Sequence, residues 1–197
     1  AYTSAATNLV ANDTNDILDI FATELDLSGT TPVPISTTRV SVALNLADQP
    51  ADIFSATTIG NSTLAMTPDE HKDRLLVIVA GTGQGQVRKI IANDATTLTV
   101  EPAWTITPDS SSVFRVISES DADSNLPFLS NDARIVAFQS AATNLVPNDT
   151  NSSQDIFVHD RITGQTSRVS VRSDGSEQTG ASSAPYFSAD GQLVVFQ

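Results

Sequence analysis

Two stretches of the chain carry side-chain oxygens at a spacing that could hold a hard cation. The first is Asp13-Thr-Asn15-Asp16-Ile-Leu-Asp19 and the second is Asp149-Thr-Asn151-Ser-Ser-Gln-Asp155. Oxygens at the first, third and seventh places of a flexible loop, with a main-chain carbonyl between, suit Ca²⁺. The spacing therefore names Asp13, Asn15, Asp19, Asp149, Asn151 and Asp155 as candidate calcium ligands. The glycine and terminal glutamate of an EF-hand loop are missing. The same residues also read as Asx-turns that shape a loop between strands, and both readings stand at this point. The acid balance suits a cation: 23 Asp and Glu face 10 Lys and Arg, a formal net charge of −13. It argues against nucleic acid and anionic membranes, which need a basic face.

No other pattern asks for chemistry as directly. Gly81-Thr-Gly-Gln-Gly-Gln-Val-Arg88-Lys89 has the glycines of a phosphate cradle, but a cradle needs a helix N-terminus behind it. The residues behind these glycines, Val-Arg-Lys-Ile-Ile, read as a strand and make the glycines a hairpin turn. His71 and His159 are the only histidines and there is no cysteine, so disulfides, thiolate sites and zinc are not expected. His159, beside Asp160 on a strand, is expected to be exposed. No Gly-x-Ser-x-Gly elbow occurs. Acidic pairs are too frequent for a glycosidase pair to be singled out. Asn12, Asn61 and Asn148 open Asn-x-Thr sequons that read as idle, and Asp132 and Asp190 read as turn residues. The chain is thus expected to be non-catalytic.

The elements that position these residues are repeated. Residues 1–21 and 137–157 align at an offset of 136 with 15 of 21 positions identical, including Ser4 to Val10 against Ser140 to Val146. Arg39-Val-Ser-Val42 recurs as Arg168-Val-Ser-Val171. A second pairing has an offset of 58: Pro127-Phe-Leu-Ser-Asn-Asp-Ala-Arg-Ile-Val-Ala-Phe-Gln139 matches Pro185-Tyr-Phe-Ser-Ala-Asp-Gly-Gln-Leu-Val-Val-Phe-Gln197. The plain unit is therefore 58 residues, and the first copy carries 78 more. Seven of these fall between Phe21 and Arg39 and 71 between Val42 and Pro127. Each unit reads as four short strands, here residues 185–188, 192–197 (with 135–139 as an earlier copy), 155–159 and 165–171, joined by turns such as Ala189-Asp-Gly191. Four strands per repeat with turn residues between them is a propeller-blade pattern. Phe21, Phe138, Phe157 and Phe196 are expected in the core between blades.

The Pro-x-x-Ser-x-Asp-Gly box followed by Val-Val-Phe resembles the TolB-type, WD40-like β-propeller repeat. The run Asn-Leu-Val-Pro-Asn-Asp-Thr-Asn through Asp-Ile-Phe-Val-His-Asp-Arg-x-Thr-Gly to Arg-Val-Ser-Val is similar to a bacterial exported subclass of it. The resemblance covers roughly residues 1–43 and 120–197. It implies an all-β fold of about two blades' worth of four-stranded antiparallel repeats, from a family that closes with several blades.

The remaining 71 residues have a strand pattern of their own at 74–80, 86–92, 97–100 and 113–117, with turns at Gly81 to Gly85 and Asn93-Asp94. This predicts an inserted small β-barrel or sandwich and the division 1–45 partial blade, 46–118 insert, 119–197 blade and start of the next. Its Gly85-Gln-Val-Arg, Leu98-Thr-Val, Ala103-Trp104 and Pro108-Asp109 run resembles a small β module of phage-like and bacterial surface proteins. No apolar run reaches the roughly 18 residues of a membrane span. The expected role is an extracellular or cell-surface structural and protein-interaction module, with the periplasm as a second location. Its expected partners are protein: neighbouring blades of a longer chain, or further subunits of a homo-oligomer or fibre. A carbohydrate- or peptide-binding module of a larger exported protein is the alternative.

Overall fold

The computed structural model describes residues 1–10, 13 and 15–197, and it is all-β. The chain divides into two compact units, residues 1–43 with 119–197, and residues 44–118.

The first unit is built from three antiparallel sheets. Sheet one joins β1 (Tyr2–Ser4), β2 (Asp19–Asp26) and β3 (Val33–Arg39) in that order. The second unit interrupts the chain here with seven strands. Sheet two is a meander of β11 (Ser124–Leu129), β12 (Ile135–Ser140), β13 (Asp155–Asp160) and β14 (Thr166–Arg168), each pairing with the next. The third sheet has two strands, β15 (Tyr186–Phe187) and β16 (Val194–Val195). β1, β2 and β3 hold the sequence positions of the second, third and fourth strands of sheet two. β15 and β16 hold those of its first and second.

The turns repeat as closely as the strands. Asp132 Oδ1 accepts from Ser130 Oγ at 2.6 Å and from the Arg134 N–H at 3.0 Å; Asp190 Oδ1 accepts from Ser188 Oγ at 2.5 Å and from the Gln192 N–H at 3.1 Å. The next residue is left-handed in both copies, φ +58° at Ala133 and +71° at Gly191, a conformation glycine takes without cost.

Sheets one and two pack face to face. Ile20 and Ala22 of β2, with Val40, cover Val136, Phe138 and Phe157 of β12 and β13, together with Ala142 and Leu145 of the loop between those strands. Alternation along a strand sends side chains to opposite faces, so Ile20 and Ala22 share the covering face and Phe21 lies on the other. Phe138 and Phe157 are register partners whose rings stack at 5.8 Å. Tyr2 and Phe21, at the same places in sheet one, stack at 6.0 Å. One face of each sheet thus carries an aromatic pair, and the opposite face carries Ile20 or its counterpart Ile156. Phe21, Phe138 and Phe157 are fully buried, whereas Phe196 is only half-buried.

The second unit is one seven-stranded sheet around its own core. Its strands are β4 (Val42–Pro50), β5 (Ile53–Phe54), β6 (Thr58–Gly60), β7 (Leu75–Ala80), β8 (Val87–Asn93), β9 (Thr97–Glu101) and β10 (Val113–Glu119). The order is β4-β10-β7-β8-β9-β6-β5, with β4 and β5 at the two ends. The glycines after β7 form the expected hairpin, and Gly81, Gly83 and Gly85 all have positive φ. Ile59, Leu76, Ile78, Ile90, Leu98 and Phe114 make the core, with Trp104 beside them. The Arg88 guanidinium lies 5.5 Å from the Trp104 ring centre and bonds the Ala103 carbonyl and Thr105 Oγ1, which holds the loop after β9 in place.

Phe138→Ala removes a fully buried ring from the interface between the first two sheets and should cost about 3–5 kcal/mol. The far-ultraviolet transition of the first unit should move to lower temperature. Fluorescence of Trp104, the sole tryptophan, should keep its midpoint, because that residue belongs to the other unit. A common shift of both signals would contradict two separate cores.

Candidate functional site

The candidate calcium ligands come together in two places, and each group converges on an arginine. In the first, Arg39 at the end of β3 reaches Asp13 at 3.0 Å, Asp19 at 3.5 Å and Glu119. In the second, Arg168 at the end of β14 reaches Asp149 at 3.0 Å, Asp155 at 3.4 Å and Glu177 at 2.7 Å. The guanidiniums are buried, at 4% and 8% side-chain exposure, and Asp19 and Asp155 are fully so. Asn12 and Thr14 of the first loop lie outside the described residues.

The asparagines shape the loops. Asn15 Nδ2 donates to Asp19 Oδ2 at 3.1 Å and to the Ser120 carbonyl at 3.2 Å. Asn151 Nδ2 does the same with Asp155 Oδ2 at 3.1 Å and the Gln178 carbonyl at 2.9 Å. Asn151 Oδ1 accepts from the Ser153 N–H at 2.7 Å, an Asx-turn. The residue between the asparagine and the strand, Asp16 or Ser152, is left-handed in both copies. Serines complete the clusters. Ser41 Oγ donates to Asp19 Oδ1 at 2.5 Å and accepts from the Ile20 N–H at 3.0 Å; Ser170 Oγ repeats both bonds with Asp155 and Ile156, at 2.5 and 3.0 Å. Asp19 Oδ1 also accepts from Ser120 Oγ at 2.9 Å.

Each cluster therefore ties four pieces of chain: the loop before the third strand, that strand, the fourth strand and the segment leading to the next sheet. The main chain adds to the tie. The Ser124 N–H donates to the Leu18 carbonyl and the Ser182 N–H to the Gln154 carbonyl, both at 2.7 Å. Ser124 and Ser182 are again 58 residues apart.

Three carboxylates face one guanidinium in each cluster, and the excess negative charge is buried. Burial pushes the Asp13 carboxyl above its usual range, against the pull of Arg39. At Asp149 the same cause, larger than the attraction of Arg168, raises the carboxyl to about 6. Asp149 Oδ2 and Arg168 Nε are buried with no hydrogen-bond partner. Glu177 moves the other way, to about 2, because Thr150 donates to it from its hydroxyl at 2.6 Å and its N–H at 2.8 Å, with Arg168 adding to the effect.

Glu119 and Glu177 are the members that motif reasoning passes over. Their signal is the 58-residue offset, which continues upstream of Pro127 and Pro185 to Ser118-Glu119 and Ser176-Glu177. The arginines stand in the repeated Arg-Val-Ser-Val run, where they read as ordinary strand residues. His159 departs from its expected exposure: it is 5% exposed, with Nδ1 3.0 Å from Thr166 Oγ1. His159 lies on the same face of β13 as Phe157, the face packed against Ile20, Ala22 and Val40 of the preceding sheet. His71 is also buried, 3.0 Å from an Arg74 nitrogen, and burial holds its imidazole below the usual range. Among the described residues, the Arg39 and Arg168 clusters included, no group of three or more His, Cys, Asp or Glu is placed to hold a metal.

Compared with known protein families, with curated proteins and with solved structures, the chain matches none.

Arg168→Met leaves the carboxylates of the second cluster without their counter-charge, and breaking a buried ion pair in this way costs about 3–5 kcal/mol. A drop in melting temperature with little change in the folded spectrum is the expected result. Asp149→Asn should act in the opposite sense and only in one pH window. A carboxyl raised in the fold above its unfolded value of about 3.9 contributes most below that value, and loses the contribution as pH rises through its folded value. The variant should melt higher than the native chain at pH 8 by about 2–4 °C, the shift that 1 kcal/mol produces in a chain of this size. At pH 4 the two should melt together.

Proposed function

We propose that this chain is a non-catalytic structural and protein-interaction module, a segment of a β-propeller-type repeat array. The observation that carries the reading is the doubled sheet. Two copies of one strand order share one aromatic pair, one arginine–carboxylate cluster and one main-chain link to the next sheet, and the Ile20 face of the first packs on the Phe157 face of the second. Such packing extends by repetition, as in solenoids and propellers, where each unit needs its neighbour to cover its apolar face. The buried carboxylates of the two clusters are committed to guanidiniums. The resemblance to exported propeller repeats, together with the acidic and cysteine-free composition, supports a place outside the cytoplasm, on a cell surface or in the periplasm. The second unit, one seven-stranded sheet with β4 and β5 at its ends, we read as an inserted small β domain.

The reading is tested by lengthening the array. A further copy of residues 140–197 fused in series should raise the melting midpoint, because a repeat array gains one interface for each unit added. An unchanged midpoint in the longer chain would sink it.

A second reading is ligand binding, favoured by an open surface cleft of about 320 Å³ lined by Tyr2, Leu126, Pro127, Phe128, Pro185 and Tyr186. The Phe128 and Tyr186 rings meet at 4.5 Å, and such aromatic walls suit sugar rings or proline-rich peptides. Calcium in the loops is favoured by the partnerless Asp149 Oδ2. Melts in calcium and in chelator separate the two roles of the cluster. The structural role expects one midpoint, and bound calcium would raise it by mass action.

A further inference from the structure

We propose that the connection between β6 and β7 in the second unit is an acid-released latch, with His71 as the pin that holds it shut and a proton as the effector that frees it. The inference concerns the inserted unit and stands apart from the repeat-array reading.

The connection lies along β8 and the turn after it. Main-chain bonds anchor it at intervals. The N–H groups of Met66, Asp69 and Asp73 donate to the carbonyls of Ala95, Asn93 and Ile90, at 2.9, 2.9 and 2.8 Å. The Asn93 side chain clamps the last part: its Oδ1 accepts from the His71 N–H at 2.8 Å, and its Nδ2 donates to the Thr67 carbonyl at 2.8 Å. The clamped segment is not relaxed. Asp69 and Asp73, two residues to either side of His71, are both left-handed, with φ +59° and +65°. A residue with a side chain adopts that conformation at a cost, which the surrounding structure has to offset.

Within residues 67–73, His71 is the one buried side chain, at 2% exposure. Its Nδ1 lies 3.0 Å from an Arg74 guanidinium nitrogen. A guanidinium only donates, so Nδ1 is the acceptor, the ring proton sits on Nε2 and the imidazole is neutral. A second proton would turn Nδ1 into a donor that faces a donor. It would also set two cations side by side at a buried site.

The other charged groups around the ring leave this balance in place. The Glu70 carboxylate is 3.8 Å from Nε2, beyond hydrogen-bond reach, and its side chain is 43% exposed, so water screens it. Its second oxygen is held by the Thr67 N–H at 2.7 Å. Asp69 accepts from the Asn93 N–H at 3.4 Å, and Asp73 pairs with Lys89 of β8 at 2.7 Å. Lys72 is exposed, and Asp94 is occupied by the N–H groups of Thr96 and Thr97 in its own turn. β7, which follows the latch, carries no charge from Leu75 to Ala80. Burial first and Arg74 second therefore outweigh Glu70, and they hold the imidazole below its ordinary range.

A group held low in the closed fold takes up a proton when the fold opens. The latch is thus at full strength above about pH 6.5, the ordinary value of a free imidazole, and weakens as pH falls below it. Opening frees a segment joined directly to Met66, a member of the second unit's core.

Amide hydrogen exchange of the 197-residue chain, read by NMR and corrected for the intrinsic effect of pH, tests the proposal. Protection of the His71 and Asp73 amides should fall by up to about tenfold for each pH unit below about 6.5, the slope of one proton. Amides of β9 and β10 should keep theirs. His71→Gln retains an acceptor for Arg74 and cannot titrate, so its protection should stay level over the same range. Arg74→Gln and Glu70→Gln keep the imidazole and act in opposite senses: loss of the guanidinium flattens the acid loss, and loss of the carboxylate steepens it. Circular dichroism checks folding, and these two variants carry the test if His71→Gln does not fold. Protection at His71 and Asp73 that ignores pH overturns the proposal. So does an equal acid loss in His71→Gln, an unchanged slope in both other variants, or a parallel loss through β9 and β10, which would mean unfolding of the whole unit.

Discussion

Everything in the first unit depends on one buried interaction made twice, a guanidinium held among carboxylates from separate pieces of chain. Arg39 and Arg168 lie at the ends of the fourth strands, β3 and β14. β14 has only three residues. What holds the loop, the third and fourth strands and the outgoing segment in register is the set of charge-assisted bonds that meet at the arginine. Bonds of this kind are stronger than neutral ones, and the planar guanidinium can serve several acceptors at once. The cost is an excess of buried negative charge, visible in the upward displacement of Asp149 and Asp13. Desolvation offsets much of the attraction inside a buried ion cluster, while removal of its cation leaves buried carboxylates uncompensated. The cluster links each sheet to the segment that leads to the next one.

The cluster also gives the Asn residues of these loops a structural role. Asn15 and Asn151 each bond the aspartate four residues on and a carbonyl of the segment leading to the next sheet, so the loop is a bridge between sheets. The apolar interface then needs only small contributions from each side. Ile20, Ala22 and Val40 can cover two phenylalanine rings because the polar bridge has already set the distance and angle of approach. Thr166 adds one more bond across the same interface, donating from Oγ1 to the Val42 carbonyl at 2.6 Å.

Much of this was legible in the sequence, for a physical reason. Strand positions repeat because packing repeats: a position that must be apolar on one sheet must be apolar on the next. The duplicated Asp-Ile-Phe and Val-Ala-Phe or Val-Val-Phe runs therefore located β2, β12, β13 and β16, and the turn aspartates at 132 and 190 followed from their boxes. The insert's β7, β8, β9 and β10 were readable from their own apolar runs. Its β4, β5 and β6 were not. β4 is Val-Ala-Leu-Asn-Leu-Ala-Asp-Gln-Pro, with Asp48 and Asn45 where an apolar pattern would be sought. It is a strand because β10 lies beside it: Arg115 pairs with Asp48 at 2.7 Å and Ser118 with Asn45 at 2.6 Å. Partners about seventy residues away leave no local signature.

The arginine clusters were hidden for a related reason. Spacing names ligands within one loop, and the oxygens of Asp13, Asn15 and Asp19 have a spacing that a cation would accept. It does not reveal that the fold brings its own cation, carried by a strand twenty residues further on. A buried carboxylate asks only for a positive neighbour and hydrogen-bond donors, and Ca²⁺ and a guanidinium both supply the first. The guanidinium also supplies donors at fixed angles, and it cannot diffuse away. Each loop thus meets part of its negative charge with a cation from the same polypeptide.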